Sequence, residues 1–94
     1  MNQEHLDAIF KTLELKPAGA DGWRAAPEGM LLTFQIAHGG TAMSVPRVES
    51  VRIDGPLVWT RSSKKEINVF SRDDVFAIAT DGGAAQPARR PGFA

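Results

Sequence analysis

The sequence predicts an α+β domain that is mostly β: an N-terminal helix followed by a bent five-stranded antiparallel sheet or small barrel, built within residues 1–80. Three features carry this expectation. Residues 3–15 place their apolar side chains at helical spacing. Residues 30–80 divide into short stretches of alternating apolar and polar residues, with turn formers between them. Residues 81–94, DGGAAQPARRPGFA, have no periodicity and too little apolar content for a core, so a disordered tail is expected there.

In the first segment Leu6, Ile9, Phe10 and Leu13 recur at i, i+3, i+4 and i+7, which makes one apolar stripe. Asn2 suits the N-cap, Glu4 and Asp7 lie in the first turn, and Lys16 lies at the far end, each favoured by the helix dipole. Pro17 supplies the stop, because the residue before a proline avoids the helical region. The stripe requires the helix to dock, and the sheet is the expected platform. Residues 17–29 carry three glycines and two prolines and read as a loop in which Trp23 is the one large apolar anchor.

The first long strand alternates cleanly, with Met30, Leu32, Phe34 and Ile36 on the face expected to form the core. Gly39 and Gly40 provide the reversal. The next strand loses phase: Met43 and Val45 agree, Pro46 removes a ladder donor, Val48 is out of step, and Val51 and Ile53 resume. A bulge or bend at 46–50 is the expected cause. After the turn at Asp54, Gly55 and Pro56, Leu57 and Trp59 share one face and Val58 and Thr60 the other. In the strand beyond, Ile67 and Val69 are expected to point inward, opposite Asn68 and Phe70. Ser71 then caps a single helical turn, and in the last strand Phe76 and Ile78 share a face. This order of elements resembles that of SH3-like and Sm-like barrels, which implies a curled sheet and nothing about activity.

Composition removes several classes of function. Cysteine is absent, so no disulfide framework or thiolate site exists, and the two histidines, His5 and His38, are too far apart to nucleate a metal site. No metal or cofactor is expected. Eleven basic and eleven acidic side chains give zero net charge, which argues against binding driven by phosphates or anionic lipid. No apolar run approaches the roughly 20 residues of a membrane span. The opening residues MNQEHLDAIF have acids where a secretory leader is basic, so a soluble protein of the cytoplasm is expected. No serine sits in a nucleophile elbow, the glycine pairs lack phosphate-loop spacing, and Asp73 and Asp74 have no identifiable acid partner. Arg47 and Arg52 flank the bend without a companion nucleotide-binding motif. The chain is therefore not expected to be an enzyme.

Two function classes remain. The favoured one is a protein-interaction or regulatory accessory module, pairing with itself as a homodimer or higher oligomer or with another protein. It rests on apolar residues assigned to both sheet faces, Leu31, Val58 and Phe70 lying opposite the expected core. Its candidate contacts are Trp23, Trp59 and Phe70, with Arg61, Lys64 and Lys65 as a basic rim. The alternative is a small-barrel nucleic-acid binder that uses the Arg61–Lys65 hairpin, with Trp59 and Phe70 as stacking platforms and Arg52 and Arg72 nearby.

Overall fold

The computed structural model describes residues 1–82. One helix, α1 (Gln3–Thr12), leads into β1 (Arg24–Ala25), β2 (Met30–His38), β3 (Thr41–Asp54), β4 (Leu57–Ser62), β5 (Ile67–Ser71), the 3-10 turn Arg72–Asp74 and β6 (Val75–Gly82). The strands form one six-stranded antiparallel sheet in the order β5-β4-β3-β2-β6, with short β1 paired to β3. The α+β, mostly β class is therefore as the sequence implied. Among the described residues the sheet does not close into a barrel; β5 and β6 are its two opposite edges. Among the described residues no helix is long and apolar enough to cross a membrane.

Helix α1 begins as its sequence directs, with the Asn2 side chain accepting from the His5 N–H at 2.8 Å. It ends at Thr12, three residues before the predicted end at 15. Leu13 caps it and Glu14 takes the left-handed conformation, φ 61°. The Glu14 N–H reaches the Lys11 carbonyl and the Leu15 N–H reaches the Phe10 carbonyl, both at 3.0 Å. That is the Schellman arrangement, and it buries Leu15 beside the helix. Glutamate at a position that favours glycine hid this stop from the sequence.

The helix lies over one sheet face. Leu6 and Phe10 are fully buried with Leu32, Phe34, Val48, Val51 and Val58, and Ile9 and Leu13 pack at the margin. The stripe is thus satisfied within the chain. Strand β2 has the expected phase, Met30, Leu32, Phe34 and Ile36 facing inward. In β3 the expected bend is present: Leu32 faces Val48 and Phe34 faces Val45, so Pro46 and Arg47 oppose Thr33, with Arg47 at φ 57°. Glu49 is a second extra residue, between the pairs Val48–Ser62 and Ser50–Arg61. These paired irregularities bring Val48 into the core.

Three assignments of face are corrected by this register. In β4 the inward residues are Val58, Thr60 and Ser62, because Val51 pairs with Thr60 and Ile53 with Val58. The buried hydroxyls have partners: Thr60 donates to the Asn68 carbonyl at 3.3 Å, and Ser62 Oγ accepts from the Lys64 and Glu66 N–H groups at 3.1 Å. In β5 the phase follows β4. Phe70, opposite Val58, packs on the core side with its ring 5.7 Å from that of Phe34, while Ile67 and Val69 point outward. In β6 a register shift sets Val75 against Ile36 and Ala77 against Gln35; Phe76, the extra residue, is exposed, while Val75 is buried in the core and Ile78 packs against it.

The region 17–29 is not all loop, since Arg24 and Ala25 pair with Val51 and Ser50. Of the expected disordered tail, Asp81 and Gly82 belong to β6 and pair with Leu31 and Met30; the rest of that tail lies outside the described residues.

Candidate functional site: the outer face of the sheet

The helix covers one side of the sheet, and the side chains that alternate outward from β3, β4 and β5 form the other. In the register observed, Arg52 sits opposite Trp59, which sits opposite Val69, and Arg61 sits opposite Ile67. Strict alternation places Leu57, Trp59 and Arg61 in a row along β4, flanked by Ile67 and Val69 on β5. Leu57, Ile67 and Val69 are 39%, 48% and 44% exposed. The result is a small apolar field with arginines at its inner border.

Trp23 enters this face from the side. The Asp21 carboxylate accepts from the Trp23 N–H at 3.1 Å, Gly22 turns at φ 84°, and the Gly19 N–H donates to the Trp23 carbonyl at 3.1 Å. The pairing of Arg24 with Val51 then fixes the chain against β3. The Arg61 guanidinium lies 4.3 Å from the centroid of the Trp23 ring, and that of Arg52 lies 5.4 Å from the Trp59 ring. Both distances are within the range of cation–π attraction. Arg52 also approaches Asp54 at 3.9 Å. The Trp59 Nε1–H is buried without an acceptor among the described residues.

The β4–β5 hairpin carries the rest of the predicted rim. Lys65, at φ 70°, makes an exposed pair with Glu49 at 2.8 Å. Lys64 remains at the tip, and the Ser63 N–H ties the hairpin to the bulged Arg47 carbonyl at 2.9 Å. A cleft of about 220 Å³ opens between this hairpin and the first half of β3, lined by Met43, Val45, Arg47, Lys64, Glu66 and Asn68.

Of the six candidate residues, the fold brings Trp23, Trp59 and Arg61 onto one surface, with Lys64 and Lys65 at its border. It sets Phe70 apart, on the core side. Arg52, Leu57, Ile67 and Val69 belong to the surface and were absent from the candidate set. For Ile67 and Val69 the signal was present as alternation, but its phase could not be fixed without the partner strand.

Among the described residues there is no group of three or more potential metal-ligating side chains. His38 Nδ1 lies 3.1 Å from Asp74 Oδ1 with the imidazole 85% exposed, and Thr41 pairs with His38 across the hairpin. No protein-family model matches the chain, and no curated protein or solved structure matches it either.

Proposed function

We propose that this chain is a non-enzymatic protein-interaction module that self-associates, with the outer face of β4 and β5 as its contact surface. The observation that carries the reading is the clustering of Leu57, Ile67 and Val69 beside Trp59, on the side the helix leaves uncovered. Apolar patches on a small domain mark interaction sites, and tryptophan and arginine are the residue types most enriched at binding hot spots. Trp23, Trp59, Arg52 and Arg61 supply those types in pre-ordered pairs, which lowers the entropy lost on contact. Lys64 and Lys65 form the polar rim.

Sedimentation equilibrium over a wide concentration range is the direct test. A concentration-dependent dimer is expected, weakened about tenfold or more by Ile67→Asp, since the change buries an unpaired charge in the contact. A monomer at every concentration would refute self-association.

A second reading is favoured by one observation, the alignment of Trp59, Trp23 and two arginines beside Lys64. Such a surface stacks and neutralises a single nucleic-acid strand. Against it, Lys65 is engaged by Glu49 and net charge is zero. Titration with a fluorescent oligonucleotide at low and moderate salt decides: steeply salt-dependent binding lost on Lys64→Glu would support it.

A further inference from the structure

Among the described residues β5 ends the sheet beside β4, and the direction in which its main chain opens follows from the bonds around it. The Ser62 N–H donates to the Glu66 carbonyl at 2.9 Å, the Arg72 N–H to the Pro56 carbonyl at 2.7 Å, and the Thr60 hydroxyl to the Asn68 carbonyl at 3.3 Å. Bonded positions recur at every second residue of an antiparallel ladder. Glu66, Asn68, Phe70 and Arg72 therefore turn their main-chain groups toward β4. Ile67, Val69 and Ser71 turn theirs away from it, to the open side.

Edges of this kind are usually blunted by proline, charge or a bulge. β5, Ile-Asn-Val-Phe-Ser, has none of these. The opposite edge, β6, carries the irregularity at Phe76, and the outer side of β3 carries Pro46 and the Arg47 bulge. Among the described residues β5 is the unguarded edge.

The sequence around β5 also says what fits it. Counting outward from Val69, Ile67 is matched by Ser71, Glu66 by Arg72, Lys65 by Asp73 and Lys64 by Asp74. Each charged residue on one side has an opposite charge at the same distance on the other. In an antiparallel pair of identical strands those are the residues that meet.

We infer that β5 pairs with β5 of a second copy of this chain, antiparallel about a two-fold axis at Val69, to make one continuous sheet. The inference rests on the self-association proposed above and specifies its geometry. Roughly six main-chain hydrogen bonds join the copies, from Ile67, Val69 and Ser71 on each side. On the outer face Val69 meets its symmetry mate, so the apolar fields of both copies merge. Beyond the strands, Lys64 and Lys65 of each copy face Asp73 and Asp74 of the other. Lys65 and Asp74 exchange exposed partners, Glu49 and His38, and such surface pairs contribute little.

The test uses two charge variants of the full chain. Lys64→Asp/Lys65→Asp and Asp73→Lys/Asp74→Lys each place like charges across the axis, and each alone is expected to associate about tenfold or more weakly than the native chain. Mixed together, they are expected to form a one-to-one heterodimer, because opposite charges then meet at both ends. Val69→Cys gives an independent reading in a chain that has no cysteine. Paired residues across the axis have Cα atoms about 5.5 Å apart, within disulfide range. Mild oxidation should therefore couple two copies much faster than it couples Phe76→Cys, on the other edge. If the native chain is a monomer, both the inference and the self-association reading fall. If it is a dimer but both charge variants still dimerise, or Val69→Cys couples no faster than Phe76→Cys, the β5 geometry falls and self-association through another surface stands.

Discussion

The Arg61 guanidinium lies 4.3 Å from the centre of the Trp23 ring, joining the β4 strand to a segment almost forty residues earlier in the chain. This contact adds to the β1–β3 pairing and to the backbone bonds of Lys16 to Ala25, Gly19 to Trp23 and Ala26 to Glu49 in holding a glycine-rich stretch. Removing it by Arg61→Ala is expected to cost about 1 kcal/mol in chemical denaturation. The same change should red-shift Trp23 emission, read in a Trp59→Phe background so that one indole reports. An unchanged spectrum and midpoint would mean that the backbone bonds of residues 16–26 order the segment without it.

Glu14 occupies the left-handed position that ends α1, with φ 61°. A residue with a side chain is held there at a cost that glycine avoids. Glu14→Gly should therefore stabilise the protein by about 1 kcal/mol, although it introduces a glycine next to a helix. A lower melting temperature would show that Glu14 contributes something the Schellman turn does not require.

Gly82 closes β6 against Met30 at φ 84°, where a Cβ atom would run into the Gly29 carbonyl. Both the conformation and the space require glycine. Gly82→Ala is expected to destabilise by about 2 kcal/mol and to raise hydrogen exchange at Met30 and Leu31 before the rest of the sheet. Equal exchange throughout would indicate that the β2–β6 ladder tolerates the change.

Phe70 and Phe76 are the same residue in opposed settings, one against Phe34 and the core, the other 58% exposed at a bulge. Phe70→Ala should cost about 2–4 kcal/mol, reduced from a full core truncation because the ring is only half-buried. Phe76→Ala should stay within about 0.5 kcal/mol. Urea titration of the two variants decides, and similar losses would contradict the faces described for β5 and β6.

Local chemistry was legible where it was self-contained. Asn2 announced the start of α1, the period of Leu6, Ile9, Phe10 and Leu13 announced its buried side, and the alternation from Met30 to Ile36 announced β2 with its correct phase. Pro46 and the misplaced Val48 announced the bend in β3. Ser71 announced the 3-10 turn, accepting from the Asp73 N–H as a cap should. The candidate surface was legible in part: Trp23, Trp59 and Arg61 were singled out by type, which suffices for residues rarely placed without a role in packing or contact.

The sequence by itself thus determined the order of the helix and five of the six strands, the class of fold and the lack of cysteine, and it missed the short β1. The tertiary structure decided which face of β4 and β5 is inside. Alternation has a period of two and no origin, so the expectation that Ile67 and Val69 lie inside and Val58 and Phe70 outside is reversed by the pairings of Val51 with Thr60 and Val58 with Phe70. Those pairings depend on the extra residues Arg47 and Glu49, whose effect on register is set by contacts between strands and by no residue alone. For the same reason only the assembled sheet could leave β5 as an open edge, with Ile67 and Val69 outside and its main chain turned to solvent.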